Sequence, residues 1–323
     1  MSAEKYRSMS KVLKLSRSCH LFRSVSSRCF VISIILNSLS IFFPQLESIQ
    51  KLEAQTSNPV QEQGIDPSKA DLISYEEWAL LLSKLILPNG EINYLLLEQK
   101  KWQSTFNSFL EKIAHPLSQN PHTPPPSKEA LLAYWINAYN ALTIRHVLRF
   151  PRLESVASAV HGKPRYTFFK QRVHRVNGKL YSLDDIEHEI IRKTFKDPRI
   201  HMALNCASTS CPPLPKKPFY ARNLMATLDD LAVQFVNDPS RQHLTESRLN
   251  ISKIFYWYHE DFATSHDRQR KDQFAGVRDF ITKYWRGSLS VRQVINSKEI
   301  YFKPYDWSLS GPAPQVGWLE VRD

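Results

Sequence analysis

The stretch RIHMALNCASTSCPP, residues 199–213, places a histidine, an asparagine and two cysteines within eleven residues, His201 to Cys211. A thiol beside an imidazole is activated as a thiolate, and the imidazole then serves as general acid. An asparagine side chain orients such a ring or donates to an oxyanion. The pattern makes Cys206 a candidate nucleophile, His201 its base and Asn205 the orienting group. His188 is a second candidate base, because Asp184 lies four residues before it on a predicted helix and could hold its ring. Cys206 directly ends the element that carries His201 and Asn205, so a rigid element positions it. Cys211 precedes Pro212 and Pro213, which suits a fixed turn or a disulfide partner. Every one of these residues also has a purely structural role open to it. Cys206 could be an inert buried thiol and His201 a core histidine. Asp184 and Asp185 sit where acids favour a helix dipole, and Asn137 and Asn140 could serve neighbouring backbone.

Metal and cofactor chemistry find little in the sequence. Cys206 and Cys211 are separated by four residues, wider than a C-x2-C knuckle, and no second Cys/His pair has zinc spacing. There is no P-loop, G-x-G-x-x-G, G-x-S-x-G or H-E-x-x-H, so neither a metal nor an organic cofactor is expected.

The elements that must position these residues follow from periodicity and punctuation. Ser74 with Glu77 reads as a capping box for a helix over about 75–86. A second helical pattern covers roughly 95–114. Five prolines between 116 and 126 then break the chain. Ser127 caps a long helix that ends before Pro151, central and largely buried, with Trp135 predicted to be in the core. Asn177–Gly178 between two β-prone runs signals a type I′ hairpin. Ser182 with Asp185 caps a short helix that stops before Asp197–Pro198. RIHMALN alternates and reads as a core strand, followed by a loop through CASTSCPPLP. A further helix ends at Asp238–Pro239. LNISKIFYWY reads as a strand, FAGVRDFITKYW as a helix and EIYFKPYDW as a final strand. Helices and strands intermix without βαβ spacing, which predicts an α+β fold: a helical N-terminal layer, and a mixed, mainly antiparallel sheet packed on a long central helix.

The 323 residues carry 42% hydrophobic and 23% charged side chains, which excludes wholesale disorder, and no repeat suggests a solenoid. The formal charge is +12 and is unevenly placed: residues 145–203 hold thirteen basic against six acidic side chains. This excess is expected to form a surface patch that draws an anionic substrate or surface. No zinc-finger, RNA-binding or basic-zipper pattern accompanies it, so specific nucleic-acid binding is not expected. Seven cations between Lys5 and Arg28 precede the apolar run Cys29–Phe43, the layout of a secretory signal or a single membrane anchor. Export is expected from this, with any membrane contact made through that segment. The expected organisation is therefore an address at 1–54, a linker at 55–70, a helical layer at 71–115, a Pro-rich linker at 116–126, a core domain with its extension at 127–310, and a tail at 311–323.

The strings AYWINAYNALTI, YSLDDIEHEIIR, DPRIHMALNCASTSCPPL, LDDLAVQFVNDP and SKIFYWYHEDF, in this order over about 127–262, resemble the signature of domain-of-unknown-function family 547 (DUF547). The resemblance maps the family's positions onto Trp135, Asn137, Asn140, Asp185, His188, His201, Asn205, Cys206, Ser210, Cys211 and Pro212. Of these, Trp135, Asn137, Asn140, Ser210 and Cys211 are carried over as binding residues. It also implies a distant likeness to papain-like and transglutaminase-like folds, and hence thiol chemistry. Here both family histidines precede Cys206, and the central helix carries Asn137 and Asn140 rather than a cysteine, so the usual order of a papain-type triad is rearranged. The leading expectation is an exported thiol-dependent hydrolase or transferase acting on amide, peptide or thiol substrates. A non-catalytic binding or scaffold domain and a dithiol redox protein are the alternatives.

Overall fold

Ser127 begins the longest helix among the described residues. In the computed structural model, which describes residues 70–117, 125–158, 167–265 and 267–317, the Ser127 hydroxyl accepts the Ala130 N–H at 3.1 Å and the helix runs from Lys128 to Leu148. Ala133, Tyr134 and every residue from Ile136 to Ile144 are buried. A helix apolar on all sides can satisfy itself only in the middle of a domain, and the other elements pack around it. Trp135 departs from the expectation. It is half-buried at the edge, with its ring against Tyr134 and Tyr181 at 5.5 and 5.7 Å. The address at 1–54, nearly all of the 55–70 linker, residues 118–124 of the Pro-rich stretch and the last six residues of the tail lie outside the described residues. The described residues belong to one compact unit, Ile65–Asp323. Among them no helix is long and apolar enough to cross a membrane.

The N-terminal layer consists of α1 (Glu76–Leu85), a 3-10 turn (Tyr94–Glu98) and α2 (Lys100–Ala114). The predicted second helix is thus broken at Gln99. The expected Ser74–Glu77 capping box does not form. Ser74 takes the Glu76 N–H at 3.4 Å, while Glu77 turns to Lys112 on α2, with both oxygens at 2.6–2.7 Å. An inter-helix ion pair has replaced a local cap. Trp78 is fully buried and stacked on Phe109 at 5.3 Å, and its indole N–H donates to Asn137 of the central helix, α3, at 3.2 Å.

The hairpin forms as read. β1 (His174–Val176) pairs antiparallel with β2 (Lys179–Tyr181). Asn177 and Gly178 have φ of 48° and 76°, the left-handed pair that a type I′ turn requires. The Ser182–Asp185 box is also present, with Asp185 N–H to Ser182 Oγ at 3.0 Å and Ser182 N–H to Asp185 Oδ2 at 2.8 Å. The helix it starts is π-helical over Asp185–Arg192 and becomes α-helical over Lys193–Phe195. Such widened turns occur often at functional sites. Lys196, at φ 52°, ends it.

Two predicted strands are corrected. Residues 198–202 form a 3-10 turn, because Pro198 follows Asp197, whose carboxylate accepts the Arg199 N–H and starts a turn rather than a ladder. Ile200 through Asn205 are buried without exception, so the alternation distinguished no inner face from an outer one. In LNISKIFYWY only β4 (Leu249–Ile251) is extended. Ser252 then accepts the Ile254 and Phe255 N–H groups, and the aromatic run coils into a short helix, Ile254–Trp257. β4 pairs antiparallel with β3 (His243–Leu244) and parallel with β5 (Ile300–Phe302). The α+β class holds, with a two-stranded sheet and a three-stranded mixed sheet in place of one larger sheet.

Two late segments frame the site. The short helix His259–Phe262 is pressed onto the helix Ala275–Tyr284 at Gly276, where a Cβ would lie 2.4 Å from the Phe262 carbonyl oxygen. Residues 305–316 form a strap. Ser308 bridges to Ser155 and Leu309 to Ser208, Ser310 N–H reaches the Ala207 carbonyl at 2.8 Å, and the N–H groups of Gln315 and Val316 meet Glu98.

Candidate active site

The cysteine loop is held from below by asparagines. Asn140 Nδ2 donates to the Ala203 carbonyl at 2.9 Å, and Asn140 Oδ1 accepts the Asn205 N–H at 2.8 Å. Asn205 spends its own amide on the loop, accepting from Ala207 N–H at 2.9 Å and donating to the Pro212 carbonyl at 2.8 Å. Between these anchors Ala207 adopts φ 66°, a left-handed conformation that costs a non-glycine residue about 1–2 kcal/mol. The strain sits immediately after Cys206. Ser210 serves the same frame, its hydroxyl accepting the Asp306 N–H of the strap at 2.9 Å. Asn137 braces the turn at Phe219, bonding both its N–H and its carbonyl. Trp135, Asn137, Asn140, Asn205 and Ser210 therefore shape the loop or the core, and none of them lines the cleft described next.

That cleft, about 210 Å³, brings together Cys206, Cys211, His201, His188 and Asp184 of the predicted residues. Cys206 is half-buried and Cys211 buried, and both are free thiols. The Cys206 N–H donates to Cys211 Sγ at 2.9 Å. Cys206 Sγ lies 3.0 Å from the Ser208 hydroxyl and 3.3 Å from the Tyr305 hydroxyl, and Ser208 Oγ is 3.0 Å from Tyr305 OH. Burial alone would raise the Cys206 thiol, but hydrogen bonds from Cys211, Ser208 and Tyr305 outweigh it and bring it down to about 7. Burial pushes the Cys211 thiol well up instead, and its S–H points to the Leu204 carbonyl at 3.6 Å. The two sulfurs are therefore differentiated: Cys206 is the readily ionised one.

The histidines are arranged otherwise than the triad reading supposed. His201 Nε2 contacts Asp261 Oδ2 at 2.7 Å, and its ring stacks on Tyr258 at 4.0 Å. Asp261 is fixed in turn by Arg192, at 2.6 and 2.9 Å. Burial would raise the Asp261 carboxyl, but His201 and Arg192 hold it well below the usual carboxylate range. The orienting partner of His201 is thus Asp261, not Asn205. His188 stands 3.8 Å from both Asp184 and Glu187, with the Arg192 guanidinium 3.3 Å from its Nδ1. Burial raises the Asp184 carboxyl, against the lowering effect of His188. Among the described residues neither histidine is a hydrogen-bond partner of either sulfur.

Glu187, Ser208, Tyr258, Asp261 and Tyr305 were not picked out from the sequence. Glu187 lines the cleft with its oxygens held by Tyr139 OH at 2.9 Å and Tyr258 OH at 2.7 Å. Its position three residues after Asp184 was the available signal, and Asp261 and Tyr258 lie in the YHEDF run. Nothing near Tyr305 in sequence announces a partner 99 residues away. Part of the cleft wall is aromatic: Trp257, Tyr305 and Trp307 pack at 4.5–5.4 Å between ring centres. Among the described residues no group of three or more His, Cys, Asp or Glu side chains is placed to hold a metal ion.

Residues 125–236 match the model of the family described as Protein of unknown function, DUF547, the family that the sequence resembles. The match ends before the SKIFYWYHEDF block and the strap. No curated protein and no solved structure matches the chain, so the likeness to papain-like and transglutaminase-like folds is not confirmed.

Proposed function

We propose that the cleft carries out thiol-dependent hydrolysis or transfer at an amide, peptide or thioester bond, with Cys206 as nucleophile. The observation that carries this reading is the double hydroxyl contact on Cys206 Sγ, from Ser208 and Tyr305, within a cleft that also holds His188, His201 and Asp184. Hydroxyl donors stabilise a thiolate at neutral pH without a base in direct contact. The thiolate adds to the carbonyl carbon, and the tetrahedral intermediate collapses to a thioester on Cys206. The departing amine or thiolate takes its proton from an acid in the cleft. His188, half-exposed and flanked by two carboxylates, is the proposed donor. Water or a second nucleophile then attacks the thioester and gives up a proton to the same imidazole, which frees the thiolate. His201, locked to Asp261 and stacked on Tyr258, positions the floor of the cleft and its charge. The export proposed alongside this activity rests on the basic-then-apolar layout of residues 1–54.

The test is the rate at which iodoacetamide labels the full-length protein as a function of pH. Read by mass spectrometry of each cysteine's own peptide, since Cys19 and Cys29 also carry thiols, the fast labelling should fall on Cys206 with a midpoint near 7; Cys206→Ala should remove the fast phase and Cys211→Ala should leave most of it. Equal, slow labelling of both thiols with the midpoint of an ordinary cysteine would remove the nucleophile. A reversible Cys206–Cys211 disulfide would transfer the site to the dithiol reading.

A further inference from the structure

The basic excess at 145–203 suggests an anionic substrate, yet the cleft places two carboxylates, Asp184 and Glu187, in the lining it shares with Cys206. Much of that excess is spent in ion pairs: Arg172 with Asp185, Lys193 with Glu189, Arg199 with Asp197 and Asp229, and, at the edge of the cleft, Arg192 with Asp261. Inside the cleft the carboxylates of Asp184 and Glu187 stand with Cys206, alongside Lys170, His188 and His201, and the Arg192–Asp261 pair borders it. In a protein of formal charge +12, two carboxylates thus line the cleft of the proposed nucleophile. The same cleft is lined by Trp257, Tyr305 and Trp307, with Phe169 beside Trp307 at 6.4 Å. Aromatic faces and carboxylates share one preference: both attract an organic cation, the ring through its quadrupole and the carboxylate through its charge. The Arg192 guanidinium over the Tyr258 ring at 4.8 Å shows the same pairing at the edge of the cleft.

We infer that the cleft binds an alkylammonium group, so that the substrate of Cys206 carries a positive amine beside the bond that is attacked. Glu187 is immobilised by two tyrosine hydroxyls and supplies fixed field, while Asp184, a third exposed, with the His188 ring at 3.8 Å and Lys170 in the same lining, makes the direct contact. The volume of about 210 Å³ suits a group of this size and excludes a folded partner. The inference rests on reading the cleft as the thiol site, and its test separates the two.

Tryptophan fluorescence of the full-length protein is titrated with four probes: choline, n-butylammonium, the uncharged carbon isostere of choline, and n-butyrate. Choline and n-butylammonium should saturate, the uncharged isostere should bind roughly tenfold more weakly, and butyrate should give no saturable change. Asp184→Asn should weaken the cations several-fold, and Glu189→Gln, outside the cleft on the same helix, should leave them unchanged. Choline should also slow iodoacetamide labelling of Cys206. Equal binding of choline and its uncharged isostere, preferential binding of butyrate, or no saturation by either cation would overturn the inference. Saturable cation binding that persists in Cys206→Ala, with an ordinary thiol midpoint in the wild type, would defeat the nucleophile and keep the cation site. Fast labelling of Cys206 without cation binding would do the reverse.

Discussion

Tyr305→Phe isolates one hydroxyl from everything else that Tyr305 does. The phenyl ring can keep its packing at 4.8 Å from Trp257 and 4.5 Å from Trp307, so the wall of the cleft survives. What is lost is the hydroxyl 3.3 Å from Cys206 Sγ and 3.0 Å from Ser208 Oγ. A hydrogen bond to a charged group is worth about 1.5–3 kcal/mol, and one pKa unit is about 1.4 kcal/mol. The Ser208 hydroxyl remains 3.0 Å from the sulfur and will make up part of the lost stabilisation. The thiol, brought down to about 7 in the intact site, should therefore rise by about one unit. At neutral pH the thiolate fraction falls from about a half to about a tenth, and the alkylation rate falls about fivefold. At high pH, where both forms are fully ionised, the two rates should converge. The assay is the pH dependence of iodoacetamide labelling, followed by mass spectrometry of the Cys206 peptide. Stability should change by less than about 1 kcal/mol, since no apolar contact is removed. A midpoint within a few tenths of a unit of the wild type would refute the claim that the strap tunes the thiol. A rate that falls equally at all pH values would point instead to a distorted cleft.

Two further outcomes concern the core. His146 and His174 are fully buried with ring centres 5.0 Å apart, and none of their four ring nitrogens has a hydrogen-bond partner among the described residues. Burial, with Arg149 and Arg145 adding to it, takes His146 down to about 3, and His174 is also well below its ordinary value. Both are depressed, so the stability they allow is complete above about pH 6.5 and is lost as pH falls below it, by roughly 2.7 kcal/mol per unit for the pair. Urea unfolding at pH 7 and pH 5 checks this, and a His146→Leu, His174→Leu double variant should flatten the slope. Trp78→Ala should cost about 3–5 kcal/mol, because the side chain is fully buried and its N–H is bonded, whereas the half-buried Trp135→Ala should cost less than about 3. Equal losses in thermal or urea unfolding would show that position in the helix, not burial, decides.

The legible parts of the fold were those that a few neighbouring residues determine. Ser127 needs only the N–H groups of the following turn to start α3, Asn177–Gly178 need only their own φ values, and the Ser182–Asp185 box closes on itself. The misread parts are places where tertiary contacts override a local signal. Glu77 left its cap for Lys112, and RIHMALN is buried on both faces, so its alternation carried no information about a sheet. The site divides along the same line. Cys206, Cys211, His188, His201 and Asp184 were readable because their types and spacing suggest chemistry, and the cleft brings all five together. Asn205 was readable as a residue but not as a role: its amide is committed to Ala207 and Pro212, and Asp261, 60 residues from His201, took the orienting place.

The segment that matches DUF547, residues 125–236, supplies both cysteines, both cleft histidines and the acidic turn of the π-helix. Other groups that set their chemical state come from beyond it. Asp261 and Tyr258 hold His201, Tyr305 completes the hydroxyl pair on Cys206, and Trp257 and Trp307 build the aromatic wall. Gly276 lets the Asp261 helix sit close, and the strap fastens the cysteine loop through Ser308, Leu309 and Ser310. A chain shortened to the matching segment would keep Ser208 and Cys211 beside Cys206 but lose the Tyr305 hydroxyl and the Asp261 carboxylate that holds the His201 imidazole. The groups that contact the side chains of the cleft thus run at least from α3 to Trp307, and a test of the proposed thiol chemistry needs that whole stretch.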